Sequence, residues 1–270
     1  MCIRDSYSET VIIDTTNGSP TLTIVVGSTN RTATFVSGNN STQLVFQYTI
    51  QASENDSDGI SIGANALDLN SSTMKDSSGN DAGITHSAVS DNSNFKVDTT
   101  APSVNSFALS DTAIKIGDTP TLSLVFSEAV TGFSSSADIT IAIMDNGTAS
   151  GTLSTMSSSD SITWTGTFTP TENIEDASNT LSLANNSYTD LAGNNGLAAT
   201  ISNYEVETLA PSVSSFTISD SLLIIGETAT VSLIFSEAVT GFSSSADITI
   251  ANLDNGSTSG SLSTMTSSDN

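Results

Sequence analysis

The chain has 270 residues, with 29 Asp plus Glu against 5 Lys plus Arg, for a formal net charge of −24. A field of that sign excludes nucleic acid and anionic membrane surfaces as partners, because both need a basic footprint, and it favours cations. Hydrophobic residues nevertheless make up 36% of the chain and fall in alternating runs, which excludes disorder, and no apolar segment is long enough to cross a membrane as a helix.

In chain order, residues 1–6 (MCIRDS) fit no later pattern and are expected to be a non-native leader. Cys2, the only cysteine, lies there, so no disulfide is expected. Beyond it the period is two. Leu22, Ile24 and Val26 alternate with polar or outward positions, as do Leu44, Phe46, Tyr48 and Ile50. Leu122, Leu124 and Phe126 follow, then Ile139, Ile141 and Ile143, then Trp164 and Phe168, then Leu181 and Leu183. Alternation rich in Thr, Val, Ile and aromatic residues predicts strands with one buried face. Trp164 reads as core filler, with Leu44 in the equivalent place earlier in the chain. Gly-Asn at 79–80 and 193–194, and Asn-Gly at 146–147 and 255–256, supply turns. Roughly seven strands in about 105 residues predict an all-β fold, a two-sheet antiparallel sandwich of immunoglobulin-like type with Greek-key connections.

The chain also repeats itself. APSVNSFALSD from Ala101 returns as APSVSSFTISD from Ala210, a period of 109 residues, and FSEAVTGFSSSADITI at 126–141 recurs letter for letter at 235–250. Without a gap, 101–161 and 210–270 agree at 43 of 61 positions. Such a period suits tandem whole domains in an extended array, not a helical or leucine-rich solenoid. The expected boundaries are 7–97, a repeat lacking its N-terminal strand; 98–206, a complete repeat; and 207–270, a repeat without its C-terminal half.

The blocks D-T-T-A-P-S-V, F-S-E-A-V-T-G-F, T-F-T-P-T-E-N-I-E-D and T-D-L-A-G-N-N together resemble the bacterial Ig-like repeats of large surface adhesins. Residues 7–97 are similar to a sister type, with V-G-S-T-N-R-T-A-T-F-V, Q-A-S-E-N-D-S-D-G-I-S-I and K-D-S-S-G-N-D-A. The resemblance implies a secreted or cell-surface stalk, built without disulfides and commonly stiffened by calcium, whose partners are neighbouring repeats of the same chain.

The topology itself places carboxylates. If the strand at 119–126 is the second of its sandwich, it runs towards the end where the chain enters and leaves Glu128 in the loop there. A strand near 180–189 runs the same way and delivers Asp190 and Asn194, while the incoming linker carries Asp98. The loop Glu54-Asn55-Asp56-Ser57-Asp58 of the preceding repeat is expected to add carboxylates. Glu207 and Glu237, with the Glu172, Glu175 and Asp176 loop, should repeat the scheme at the next junction, and Glu9, Asp76 and Asn80 are its remnant at the front. Oxygen-only ligands on loops, without His or Cys, select a hard cation, and flexible geometry selects calcium over magnesium. Against this stands the plain alternative that acidic turns are simply solvated. Asp56-Ser57-Asp58-Gly59 lacks the closing Glu and flanking helices of an EF-hand. Pro102 and Pro211 should stiffen the linkers.

No catalytic set is visible, so no enzyme is expected. His86 is the only histidine and reads as a polar surface residue, no G-x-S-x-G elbow activates a serine, and basic residues are too sparse for a phosphate clamp. Two alternatives to a calcium-stiffened stalk stay open: a binding module whose loops hold glycan or protein, and spacer domains of a large secreted hydrolase.

Overall fold

A computed structural model describes residues 2–141, 149–251 and 260–267. Ile143 and the Asn-Gly pairs at 146–147 and 255–256 lie outside the described residues.

The first body contains β1 (Cys2–Asp14), β2 (Thr21–Val26), β3 (Thr29–Ser37), β4 (Ser41–Gln47), β5 (Leu67–Asp68) and β6 (Thr73–Lys75), hydrogen-bonded in the order β5-β2-β3-β4-β1-β6. Strand β2 alternates half-buried and buried positions, with Leu22, Ile24 and Val26 inside, as its period of two requires. Its hairpin to β3 turns through Gly27 at a φ of 59°, a left-handed conformation that suits glycine. Leu44 and Phe46 are buried on β4, but the strand stops at Gln47, so Tyr48 and Ile50 fall outside it. Tyr48 instead donates to Glu54 Oε1 at 2.6 Å.

Residues 2–6 do not stand apart from this sheet. Cys2–Ser6 register against Gln47–Gln43 on β4. An edge strand offers backbone groups that any extended segment can pair with, whatever its side chains. Asp5 faces Leu44 there, whereas the equivalent pair in the second body is Leu124 with Trp164. Burial, then the neighbouring Asp5 carboxylate, pushes the Tyr7 hydroxyl up to about 12.

The second body follows with β7 (Val104–Leu109), β8 (Ala113–Lys115), β9 (Thr121–Phe126), β10 (Val130–Thr131), a single helical turn α1 (Ser135–Asp138), β11 (Ile139–Ile141), β12 (Gly151–Leu153), β13 (Thr163–Pro170), β14 (Glu175–Asn179), β15 (Leu181–Leu183), β16 (Thr189–Asp190), β17 (Ala199–Thr200) and β18 (Tyr204–Glu207). One layer is β12-β13-β9-β7; β14-β18-β8, β11-β15-β17 and the pair β10-β16 make up the rest. Leu122, Leu124 and Phe126 of β9 and Phe168 of β13 pack against Ile114, Leu181, Leu183, Tyr204 and Val206. Ring pairs Phe168–Tyr204 at 5.5 Å and Phe126–Tyr188 at 4.6 Å join the two sides. Trp164 is half-buried and edge-on to Phe133 at 5.0 Å, so it borders this core instead of filling its centre.

The architecture is thus an all-β sandwich, antiparallel among the described residues with one exception. Strand β8 pairs in parallel with β18, Val206 opposite Ile114. After β7 the chain turns at Asp111, whose Oδ1 accepts from Ala113 N at 3.0 Å, and crosses to the other layer beside the last strand.

In the third repeat, β19 (Val213–Ile218), β20 (Val231–Phe235) and the turn α2 (Ser244–Asp247) retain the same local structure. Their apolar residues are far less covered: Phe216, Ile218, Leu223 and Phe242 are exposed, and Leu233 is half-buried. Leu124 is fully buried, whereas its repeat equivalent Leu233 is not, and cost scales with burial. Leu124→Ala should destabilise the second repeat by about 2–5 kcal/mol. Urea unfolding followed by Trp164, the single tryptophan, reads this directly, and Leu233→Ala should leave that transition unchanged.

Candidate functional site

Three acidic residues distant in sequence meet where the first and second bodies join. Carboxylate oxygens of Asp98, Glu128 and Asp190 all lie within 4.8 Å of one another. Asp98 is exposed, Glu128 half-buried and Asp190 buried.

Each is delivered by ordinary strand pairing. The register of β7 with β9 puts Phe126 opposite Val104, so the end of β9 returns to the point where the chain enters. Ser127 N donates to Ser103 O at 2.8 Å, and Ser103 N donates to Ser127 Oγ at 3.0 Å, which ties the loop to the linker. Val130 then pairs with Asp190. Glu128 therefore sits between two anchors. The tilted contact between the rings of Phe126 and Tyr188 holds the two loops together, each ring two residues before a carboxylate of the site. Tyr188 is in turn fixed by its hydroxyl on Leu197 O at 2.8 Å.

Asp190 opens a D-x-x-G-N loop that closes on its own side chain. Its Oδ1 accepts from Gly193 N at 2.7 Å and Asn194 N at 2.9 Å, and its Oδ2 accepts from Asn194 Nδ2 at 2.7 Å. Gly193 has a φ of 95°, which disfavours any residue with a Cβ. Burial alone would raise the Asp190 pKa, but these donors hold it below the ordinary value. Asp76 and Asn80 build the same loop in the first repeat, with Asn80 N at 2.8 Å and Nδ2 at 2.7 Å from the Asp76 carboxylate.

Glu128 has the opposite environment. No donor among the described residues reaches its carboxylate; burial, then the charges of Asp190 and Asp98, push its pKa up. The ion pairs among the described residues, Arg31–Glu54 and Lys75–Asp81, leave the trio uncompensated. At the effective dielectric of a protein surface each close pair repels by roughly 3–4 kcal/mol, and salt reduces this further. The donor set suits a hard cation: ligands on opposite sides of an ion with oxygen distances of 2.3–2.6 Å lie about 5 Å apart.

The remaining expected residues are placed otherwise. Asn194 comes to the site, but as a donor: its Nδ2 also bonds Asp98 O at 3.2 Å and Thr100 O at 3.3 Å. Glu54 and Asp56 turn inward. Glu54 is buried against Arg31 Nε at 2.5 Å, Tyr48 and Gln51 N, and Asp56 accepts from Gly27 N at 2.8 Å and Gly59 N at 2.7 Å. A carboxylate with two loop amides to satisfy gains more by pinning its own loop than by facing solvent at the joint. Asp58 is exposed.

Glu207 and Glu237 enter no acidic group of three among the described residues; neither do Glu9, Asp76 and Asn80. Glu9 and Glu237 are exposed. Glu207 accepts from Leu209 N at 2.9 Å and stands opposite Glu175 across β14–β18. Glu172 is exposed and Asp176 half-buried. Pro102 is buried at the first junction, while Pro211 is exposed at the second.

Residues not anticipated from sequence also contribute. Asn55 Oδ1 accepts from Thr99 N at 2.9 Å and its Nδ2 donates to Thr100 Oγ1 at 2.8 Å, so the linker is bonded from the first repeat as well. The recurrence of Glu-Asn at 54–55 and 172–173 was the available signal. His86 is half-buried and structural: Nε2 accepts from Ala66 N at 2.9 Å, while Nδ1 lies 2.8 Å from Ser87 O.

The sequence profile of the bacterial Ig-like domain matches residues 98–206 and 207–270. No curated protein sequence matches the chain. Among solved structures, SGBP-B of the Bacteroides ovatus mixed-linkage glucan utilization locus, in complex with a mixed-linkage heptasaccharide, is 16% identical over 84% of this chain, with a TM-score of 0.20. The chain spans about half, 48%, of that protein's length, and so partial an overlap transfers no ligand.

The raised Glu128 pKa has a definite sign. A carboxyl raised in the folded state adds stability below its unfolded value, here 4.5, and loses it as pH rises through the folded value. At neutral pH without divalent cations, Glu128→Gln should therefore stabilise the second repeat by a few tenths to about 1 kcal/mol after screening. The gain should vanish near pH 3.5, where the parent carboxyl is protonated in both states. Urea unfolding at both pH values checks this, and an equal gain at both would remove charge as the cause.

Proposed function

The chain belongs to the bacterial Ig-like domain family, and we propose that it is a non-enzymatic stalk segment of a secreted or surface-attached bacterial adhesin, stiffened by calcium where repeats meet. The observation that carries this reading is the position of the Asp98, Glu128 and Asp190 group, which lies at a joint and not in a cleft. Asp98 belongs to the linker, and the other two residues belong to the repeat that follows it. A cation bridging them fixes the linker to that repeat.

The energetics favour such a role. Without a cation, mutual repulsion works against the closed joint; with one, the same charges become ligands. If ambient calcium stands at about a hundredfold over the dissociation constant, occupancy adds about 2.7 kcal/mol to the ordered state. That changes a bending joint into a mostly straight one. Calcium also neutralises part of a strongly acidic array whose self-repulsion favours extension.

A stalk also accounts for the distribution of aromatic residues. In the complete second repeat Phe126, Phe133, Phe168, Tyr188 and Tyr204 are buried, and Phe107 and Trp164 are partly buried against the same core. That arrangement leaves no ring platform for a sugar on that repeat, so the stalk is favoured over a glycan-binding module.

Small-angle scattering of the chain with calcium and then with chelator tests the proposal. The parent should stiffen in calcium and relax reversibly on chelation. Asp98→Ala with Glu128→Ala should give the relaxed profile in both conditions while both sandwiches stay folded. A parent profile indifferent to calcium would contradict the mechanism.

A further inference from the structure

Residues 98–100 carry more hydrogen bonds than a flexible linker needs. From the first repeat, Asn55 holds Thr99 N and Thr100 Oγ1, and Glu54 O accepts from Thr99 Oγ1 at 3.1 Å. From the second repeat, Asn194 Nδ2 reaches both Asp98 O and Thr100 O. The same amide bonds Asp190, so the linker and the D-x-x-G-N loop share one donor. The groups that hold the linker itself are neutral amides, hydroxyls and backbone carbonyls, and none needs a cation to bond.

The next junction is built differently. Thr208, equivalent to Thr99, is buried in the repeat that precedes it: Oγ1 donates to Thr171 O at 2.6 Å and accepts from Ile174 N at 3.1 Å, while Thr208 N donates to Ile174 O at 2.8 Å. Leu209 N also bonds Ile174 O, at 3.1 Å. Leu209 replaces Thr100 and has no hydroxyl to offer.

We infer that Asn55 and Asn194 form a two-sided amide latch on the D-T-T linker, which restrains the first joint before any cation binds and leaves calcium to stiffen it further. The D-T-T triplet, together with the asparagine on each flank, therefore sets how far this joint bends. This rests on the tandem-stalk reading but not on calcium. Each neutral hydrogen bond contributes modestly, but together they restrict a few rotatable bonds, which is all that a short linker has.

Spin-label distance distributions on the full chain, in chelator and without added cation, test the latch. With Cys2→Ser, labels at Ser37→Cys and Asn185→Cys span the first junction, and both label sites are exposed. The parent should show a restricted distribution across this junction in chelator, which calcium narrows further. Asn55→Ala should widen the distribution in chelator at least twofold. Thr100→Val provides a second variant that leaves both asparagines and every carboxylate in place, and it should widen the first distribution in part. A first-junction width in chelator that neither variant changes would overturn the latch. Calcium titration of the same proteins reads the cation separately: Asn55→Ala should keep its calcium heat, so loss of the latch and loss of the calcium site give different results.

Discussion

Three carboxylates that repel one another are held together by the antiparallel pairing of β7 with β9, and the junction depends on that constraint. The pairing returns the end of β9 to the place where the chain enters, so Glu128 cannot move away from the linker without breaking strand hydrogen bonds. The Val130–Asp190 pair and the Phe126–Tyr188 ring contact hold the third carboxylate in the same way. Sandwich stability thus opposes the local repulsion. A charge cluster that would disperse on a flexible loop stays assembled here because its supports are a buried core.

The site also divides its labour between charged and neutral groups. Asp190 is saturated by loop amides and is a rigid wall, whereas no donor among the described residues reaches Glu128, and burial, then the neighbouring carboxylates, push its pKa up. Asn194 joins the two systems, since one amide group holds both Asp190 and the linker backbone. The result is a joint whose geometry is defined by hydrogen bonds and whose electrostatic deficit a cation can relieve. The side chains able to answer that deficit are few, because the basic residues Arg31 and Lys75 are already paired elsewhere.

Much of this was legible in the sequence because strand alternation and repeat identity are local signals. Leu122, Leu124 and Phe126 announce a half-buried strand, and knowing its direction was enough to bring Asp98, Glu128 and Asp190 to one end. What sequence reasoning misjudged were side-chain orientations within loops. Glu54 and Asp56 looked like solvent-facing ligands, yet Arg31, Tyr48 and the amides of Gly27 and Gly59 draw them inward, and nothing in the spacing of residues 54–58 encodes those distant partners. The pairing of residues 2–6 with β4 was not legible either, because backbone pairing at a sheet edge is indifferent to side chains. The parallel pairing of β8 with β18 was likewise invisible, because it depends on where a three-residue strand lands after crossing between layers.

The most direct test of the central claim is a crystal of the chain grown in calcium and examined for anomalous density at the first junction. The account predicts one ion bonded to oxygens of Asp98, Glu128 and Asp190 at about 2.4 Å, with Asn194 still on the linker carbonyls and not in the coordination shell. Carboxylates splayed apart with only water between them, at a calcium concentration well above millimolar, would contradict it.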